Sequence, residues 1–208
     1  MRVVIPVFDG FTALDAVGPY ELLRMVPGAE VVWAAERRGP VADHARGLEL
    51  VAEAAFDEVD AADVLVVPGG PGARSRTGDE RLTGWLRRVH GTTTWTTSVC
   101  TGSLLLGAAG LLEGLTATTH WSAVPDLEAF GASYTAERVV VHEDERIITS
   151  AGVSSGIDMA MVLSDRLAGP VVAQTVQLFV EYDPQPPFDS GSWAKAPEEV
   201  RERARSFR

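Results

Sequence analysis

Residues 95–109, Trp95-Thr-Thr-Ser-Val-Cys100-Thr101-Gly-Ser-Leu-Leu-Leu-Gly-Ala-Ala109, decide how the chain is read. The first five are mostly β-branched or aromatic and the last eight are mostly helix formers, so a strand gives way to a helix across one sharp turn. That turn holds the only cysteine of the chain. Such an elbow sets Cys100 at the carboxyl end of a sheet with the amides of the new helix aimed at it. The arrangement favours a thiolate and makes Cys100 the candidate nucleophile. A lone cysteine is also commonly a small buried hydrophobe; its setting in Val-Cys-Thr-Gly is what argues for chemistry.

On the amino-terminal side of the elbow, residues 63–68 form another apolar run that stops at Pro68-Gly69-Gly70-Pro71-Gly72. Glycines at the end of a parallel strand permit close backbone approach and leave amide protons free to face a crevice, where open α/β sheets bind ligands. The loop lacks the glycine and lysine pattern of a phosphate cradle, and no dinucleotide fingerprint occurs, so nucleotide binding is not expected. Residues 2–8 read as a central strand covered on both faces. Asp9-Gly10 turns the chain, and Thr12 is placed to cap a helix whose apolar side takes in Leu14, Val17, Leu22 and Leu23. Gly18-Pro19 predicts a kink or a break in that helix, just after Asp15. Residues 29–35 are the second strand, residues 39–52 a region of short strands or hairpin, and residues 79–89 an amphipathic helix with Leu82, Trp85, Leu86 and Val89 inward.

Beyond the elbow helix, expected over residues 101–112, residues 116–121 read as a short strand delivering His120 to its end, with a helix over 122–130. Two strands flank the charged turn Glu143-Asp144-Glu145. Helices follow over 157–167, opened by Ser154 and Ser155 as caps and by Asp158 in the first turn, and over 171–180. An extended proline-rich arm leads to a charged, helical extension. There is no repeat and no dividing linker. One domain over 1–192 with an extension over 193–208 is expected, and strands alternating with helices imply a doubly wound α/β sandwich: a mostly parallel sheet with helices on both faces.

Composition limits the function. The chain has 208 residues, 46% of them hydrophobic, and a formal net charge of −11, which opposes binding to nucleic-acid phosphates or anionic lipid and suits a small-molecule substrate. One cysteine excludes an internal disulfide and any multi-cysteine metal centre, and four histidines without ligand spacing give no metal site. With no leader-like or membrane-spanning segment, a cytoplasmic location is expected.

Three loops should meet at the carboxyl edge of the sheet: residues 9–15, residues 68–72 and the elbow. A thiolate attacking an electrophilic carbon needs donors for developing charge and a source of protons. The amides of Gly70 and Thr101 are candidate donors, and Asp15 is a candidate proton carrier with a raised pKa, or else a helix cap. His120 is a possible base or a supporting residue behind the site. No histidine follows Cys100, where Thr101 stands instead, which weakens a peptidase reading.

Several of these motifs, Phe8-Asp-Gly-Phe-Thr-Ala-Leu-Asp15-Ala-Val-Gly-Pro19, Val67-Pro-Gly-Gly70, Thr97-Ser-Val-Cys100-Thr101-Gly-Ser, Ala117-Thr-Thr-His-Trp121, Gly152-Val-Ser-Ser-Gly-Ile-Asp158 and residues 181–190, together resemble the DJ-1/PfpI superfamily, and within it the isocyanide (isonitrile) hydratases. The resemblance runs to about residue 192. It implies a flavodoxin-like sandwich of the class I glutamine amidotransferase type, a homodimer and a reactive cysteine without a cofactor. Carried over, Cys100 is the nucleophile, Asp15 the proton carrier, and Gly70 and Thr101 the elbow donors, with the Thr101 hydroxyl also reaching the intermediate. Asp15 stands where many members have glutamate. The reaction implied is hydration of an isocyanide to an N-substituted formamide through a thioimidate on Cys100. A cofactor-free glyoxalase or deglycase acting on small 2-oxoaldehydes, in which His120 would matter, and a non-catalytic cysteine redox sensor or binding domain are the alternatives. Related domains in AraC-type regulators are followed by a helix-turn-helix region, which the residues after 192 are too few to hold.

Overall fold

The computed structural model describes residues 1–206. In chain order the elements are β1 (Arg2–Pro6), α1 (Ala13–Leu23), β2 (Glu30–Ala35), β3 (Gly39–Ala42), β4 (Glu49–Ala52), β5 (Ala54–Ala55), β6 (Val64–Val67), α2 (Pro71–Ser75), α3 (Glu80–His90), β7 (Trp95–Val99), α4 (Gly102–Ala108), β8 (Thr116–Ala117), α5 (Val124–Ala129), β9 (Ser133–Tyr134), β10 (Val139–His142), β11 (Ile147–Ser150), α6 (Ser155–Ala168), α7 (Pro170–Phe179) and α8 (Glu198–Arg205). The main sheet runs β10-β11-β7-β6-β1-β2-β5. It is parallel except for β10, which turns back along β11 through the charged hairpin. Every residue of β6, β7 and β11 is buried, as expected of strands with helices against both faces. Helices α1, α6 and α7 pack together as one group, and α4 contacts α2, α3 and α5 in the other. This is the doubly wound, mostly parallel architecture expected of the sequence.

The buried β7 is rich in hydroxyls, and the neighbouring elements satisfy most of them. Thr97 donates to the Leu65 carbonyl at 3.2 Å, and Thr96 meets His90 and Thr93 at 3.0 and 2.9 Å. Asp79 caps α3 by accepting from the amides of Arg81 and Leu82, and Trp85 on its inner face donates to the Val59 carbonyl at 2.9 Å while stacking on Phe56.

Several local expectations change. Helix α1 is continuous through Gly18-Pro19. Proline at this point leaves the Asp15 carbonyl without its helical donor, and close packing on α6 compensates: Pro19 and Val99 fill the space at Gly156, and Ile157 lies over Gly18. The buried stripe of α1 is Asp15, Ala16, Pro19, Leu22 and Leu23, so Leu14 faces outward. Thr12 occupies the capping position without a side-chain capping bond, and its amide instead donates to the Gly69 carbonyl at 2.8 Å. The elbow helix α4 ends early, at Ala108, because Gly110 takes a left-handed φ of 76°. Strand β8 is only two residues long, so His120 arrives on a loop, and a 3₁₀ turn over Trp121–Ala123 precedes α5. Ser154 and Ser155 open α6 without capping bonds; Ser154 accepts from Arg138, which also pairs with Asp158 at 2.6 Å.

The carboxyl-terminal segment folds back on the domain. Trp193 stacks on Trp121 at 4.3 Å, with the Arg205 guanidinium over the Trp193 ring at 5.0 Å, and Ala196 is buried. Among the described residues no helix is long and apolar enough to cross a membrane.

Candidate active site

Strand order reverses between β1 and β6, the point at which an open α/β sheet leaves a crevice beyond its strand ends. The loops after β1, β6 and β7 meet there backbone against backbone. A Cβ on Gly72 would lie 2.1 Å from the Asp9 carbonyl oxygen, one on Gly69 2.5 Å from the Thr101 nitrogen, and one on Gly102 2.2 Å from the Val67 carbonyl oxygen. Glycine is therefore required at the junction by contact distance, and at Gly70 also by a φ of 127°.

Cys100 sits on the elbow with a φ of 58°, a left-handed conformation that costs a non-glycine residue roughly 1–2 kcal/mol. Its amide holds it there by bonding the carbonyls of Ser150 and Ala151 at 3.1 and 2.9 Å. The side chain is nearly buried but opens into a cavity of about 210 Å³ whose lining includes Thr12, Gly70, Arg74, Thr101, His120 and Val153.

Asp15 reaches the same point from α1 and is fully buried. One carboxyl oxygen, Oδ2, accepts from the Gly69 amide at 2.9 Å. The other, Oδ1, has no bond of ordinary geometry, although the Cys100 thiol is close enough to influence the carboxyl. Burial raises the Asp15 pKa from 3.8 to about 7, against the Gly69 amide and the thiol, which favour ionisation. Burial pushes the Cys100 thiol up to about 12, and the Asp15 charge adds to that effect. The amides of Val153 and Thr101 and the Thr101 hydroxyl oppose it. The expected free thiolate is thus not favoured: above about pH 7 the pair carries one negative charge, on Asp15, and keeps one proton, on the sulfur, while below it both groups hold their protons. The short α4 and two amides do not offset burial beside a carboxylate.

The expected donors also change. The Gly70 amide is occupied, donating to Thr101 Oγ1 at 2.8 Å, while that hydroxyl donates to the Gly70 carbonyl at 3.0 Å. The Thr101 hydroxyl is a clasp between two loops, and the Thr101 amide lies near enough to the sulfur to hold the thiol pKa down. His120 bonds Ser122, with Nδ1 2.8 Å from Ser122 Oγ, and its imidazole is part of the lining of the cavity. Burial, then the charge of Arg74, lowers its pKa, so it is neutral above its ordinary 6.5.

Sequence reasoning missed Val153, Gly152 and Arg74. Val153 holds a φ of 40°, unusual for a β-branched residue, and its amide acts on the thiol, opposing the rise in its pKa. A Cβ on Gly152 would strike His120 Cδ2 at 2.6 Å, so this glycine makes room for the imidazole. Arg74 follows the glycine loop on α2, joins Asp126 in an ion pair and lines the cavity.

The model of the DJ-1/PfpI family matches residues 1–166. The chain belongs to the DJ-1/PfpI family. Within the family, the chain is 41% identical over 198 residues to the isonitrile hydratase of Pseudomonas putida, covering 95% of this chain and 86% of that protein. A crystal structure of a ThiJ/PfpI family protein from Pseudomonas syringae superposes with a TM-score of 0.93 at 37% identity, covering 99% of this chain and 85% of that one. The HTH-type transcriptional regulator CdhR of Pseudomonas aeruginosa is 33% identical over 142 residues, covering 66% of this chain and 40% of that protein. The DJ-1/PfpI sandwich of this chain thus carries its buried thiol and carboxyl at the switch point of the sheet.

Proposed function

We propose that the protein hydrates a small isocyanide to an N-substituted formamide, with Cys100 as nucleophile and Asp15 as the carrier of one proton. The observation that carries this reading is the Cys100–Asp15 pair, a nearly buried thiol beside a fully buried carboxyl with one oxygen unengaged. The terminal carbon of an isocyanide must receive the sulfur and a hydrogen on the same atom, so a proton carrier is needed immediately beside the sulfur. Asp15 takes the thiol proton as the sulfur–carbon bond forms and delivers it to that carbon, giving a thioimidate, R–N=CH–S–Cys100. Water then adds to this carbon, the carbon–sulfur bond breaks, and the nitrogen and sulfur each end with a proton: R–NH–CHO and the free thiol. Asp15 again moves the proton. Every atom comes from substrate and water, so the reaction as written needs no cofactor.

The identity to the Pseudomonas putida isonitrile hydratase supports the same substrate class. The occupied Gly70 amide favours it over a glyoxalase, because sulfur addition to a carbonyl develops an oxyanion, whereas addition to an isocyanide does not. The raised thiol pKa counts against a peroxide sensor, which needs an exposed thiolate. The physiological assembly we propose is a homodimer; exposed Leu14, Leu48 and Val51 support a contact surface on α1 and the β3–β4 hairpin, and sedimentation velocity giving a monomer would reject it.

The test is formamide production from alkyl and aryl isocyanides, followed by proton NMR, with Cys100→Ala as control. Formamide is expected from the wild type alone. No product above the mutant background removes the hydratase reading, and lactate from methylglyoxal in its place would favour the glyoxalase.

A further inference from the structure

Three polar side chains that line the same cavity as Cys100 have no role in the chemistry above. Arg74 comes from α2, and His120 and Ser122 come from the loop before α5. A guanidinium only donates. The Ser122 amide approaches His120 Nδ1 at 3.3 Å, and an amide is always a donor, so Nδ1 accepts and the proton of the neutral imidazole sits on Nε2. His120 therefore also offers a donor. The wall is held before any ligand arrives: Arg74 is fixed by Asp126 and reaches the Ser122 carbonyl at 3.4 Å, and the Trp121 ring lies against His120 at 5.1 Å.

Charge decides what such a wall prefers. The protein carries −11 overall, yet the cavity is lined by one arginine and by no carboxylate. Asp126, which pairs with Arg74, is not among the lining residues. A neutral alkyl substituent would leave the imidazole donor, and the guanidinium N–H groups not already taken by Asp126 and the Ser122 carbonyl, facing apolar atoms, and donors without acceptors weaken binding. We infer that the substituent on the substrate nitrogen ends in a carboxylate, which the Arg74 guanidinium and His120 Nε2 recognise while the isocyanide carbon meets Cys100. The substrate class is then an isocyano carboxylic acid and the product an N-formyl amino acid.

This inference rests on the hydratase reading, and its test separates the two. Catalysis is measured as kcat/KM for isocyanoacetate against its ethyl ester. Binding is measured separately by calorimetry on the Cys100→Ala protein, with the products N-formylglycine and N-formylglycinamide. The carboxylate is expected to win by about tenfold or more in both measurements, with an advantage that shrinks as salt is added. In Arg74→Met the ratio is expected to fall toward one, and in Arg74→Lys part of it returns, which a merely structural arginine would not produce. Equal or better turnover of the ester by the wild type overturns the inference, as does equal or tighter binding of the amide by the Cys100→Ala protein or an unchanged ratio in Arg74→Met. If N-formylglycine is preferred and no isocyanide is hydrated, the carboxylate wall stands and the hydratase reading fails.

Discussion

Replacing Asp15 with asparagine should stabilise the protein while removing its activity. The folded protein holds the Asp15 proton up to about pH 7, whereas an ordinary aspartate releases it near 3.8. Between those values the unfolded chain binds fewer protons than the folded one, so stability falls as pH rises through this window and is level above it. The difference is about 3 pH units, and at about 1.4 kcal/mol per unit the ionised carboxyl costs the fold roughly 4 kcal/mol. Asparagine has nearly the shape of the neutral carboxyl, can keep its oxygen on the Gly69 amide, and carries no charge to desolvate. Cys100, whose thiol pKa the Asp15 charge helps to raise, stays protonated in both proteins up to about pH 8, so over that range the difference between them isolates Asp15. Urea unfolding followed by circular dichroism should give an advantage for Asp15→Asn of roughly 2 kcal/mol near about pH 5.5 and roughly 4 kcal/mol at about pH 8. A difference that does not change with pH, or a variant that loses ground as pH rises, would refute the desolvation argument.

The same pair sets the pH dependence of turnover. One shared proton is the working state, so kcat/KM for an isocyanide should rise through about pH 7 as Asp15 ionises and stay level through pH 9; a decline over that interval would reject the shared-proton scheme. Asp15→Asn should retain about one part in 10² to 10⁴ of kcat and lose that rise, measured in the same assay. Gly72→Ala should unfold at least several degrees below the wild type in a thermal melt, because its methyl group meets the Asp9 carbonyl and costs about 1–3 kcal/mol or more. Trp193→Ala should lower stability by at least about 0.5–1.5 kcal/mol through the lost ring pair, and should change the near-ultraviolet circular dichroism of Trp121.

Much of the fold was legible because its signals are local. Apolar β-branched runs, a glycine-rich strand end and a polar-to-apolar helix period need no tertiary information, and they located β1, β6, β7 and α3 to within a few residues. Asp15 was legible because it ends the loop after β1, one of three loops expected to meet at the carboxyl edge of the sheet, and because it falls in a motif shared with the family; that it lies on the buried face of α1 with Pro19, Leu22 and Leu23 is seen only in the structure. What stayed hidden depends on contacts between distant segments. Pro19 does not break α1 because α6 packs against it. The Gly70 amide is not free because Thr101, 31 residues away, takes it. The protonation of Cys100 follows from how deeply a carboxylate is buried beside it, and Arg74 enters the site only through the path of α2. None of these has a sequence period to betray it.

The backbone junction of the three loops has a consequence for how this protein can change. At the junction around Cys100 the parts are main chain packed on main chain, so almost any side chain introduced there disrupts the scaffold that holds Cys100. Arg74 and Ser122, which also line the cavity, are solvent-exposed side chains on surface elements, replaceable without touching that scaffold. A library directed at positions 71, 74 and 122 should therefore yield folded proteins with new substrate ranges, while one directed at positions 69, 70, 72 and 102 should yield few soluble ones. The site is divided into a half that evolution must preserve and a half with which it is free to experiment.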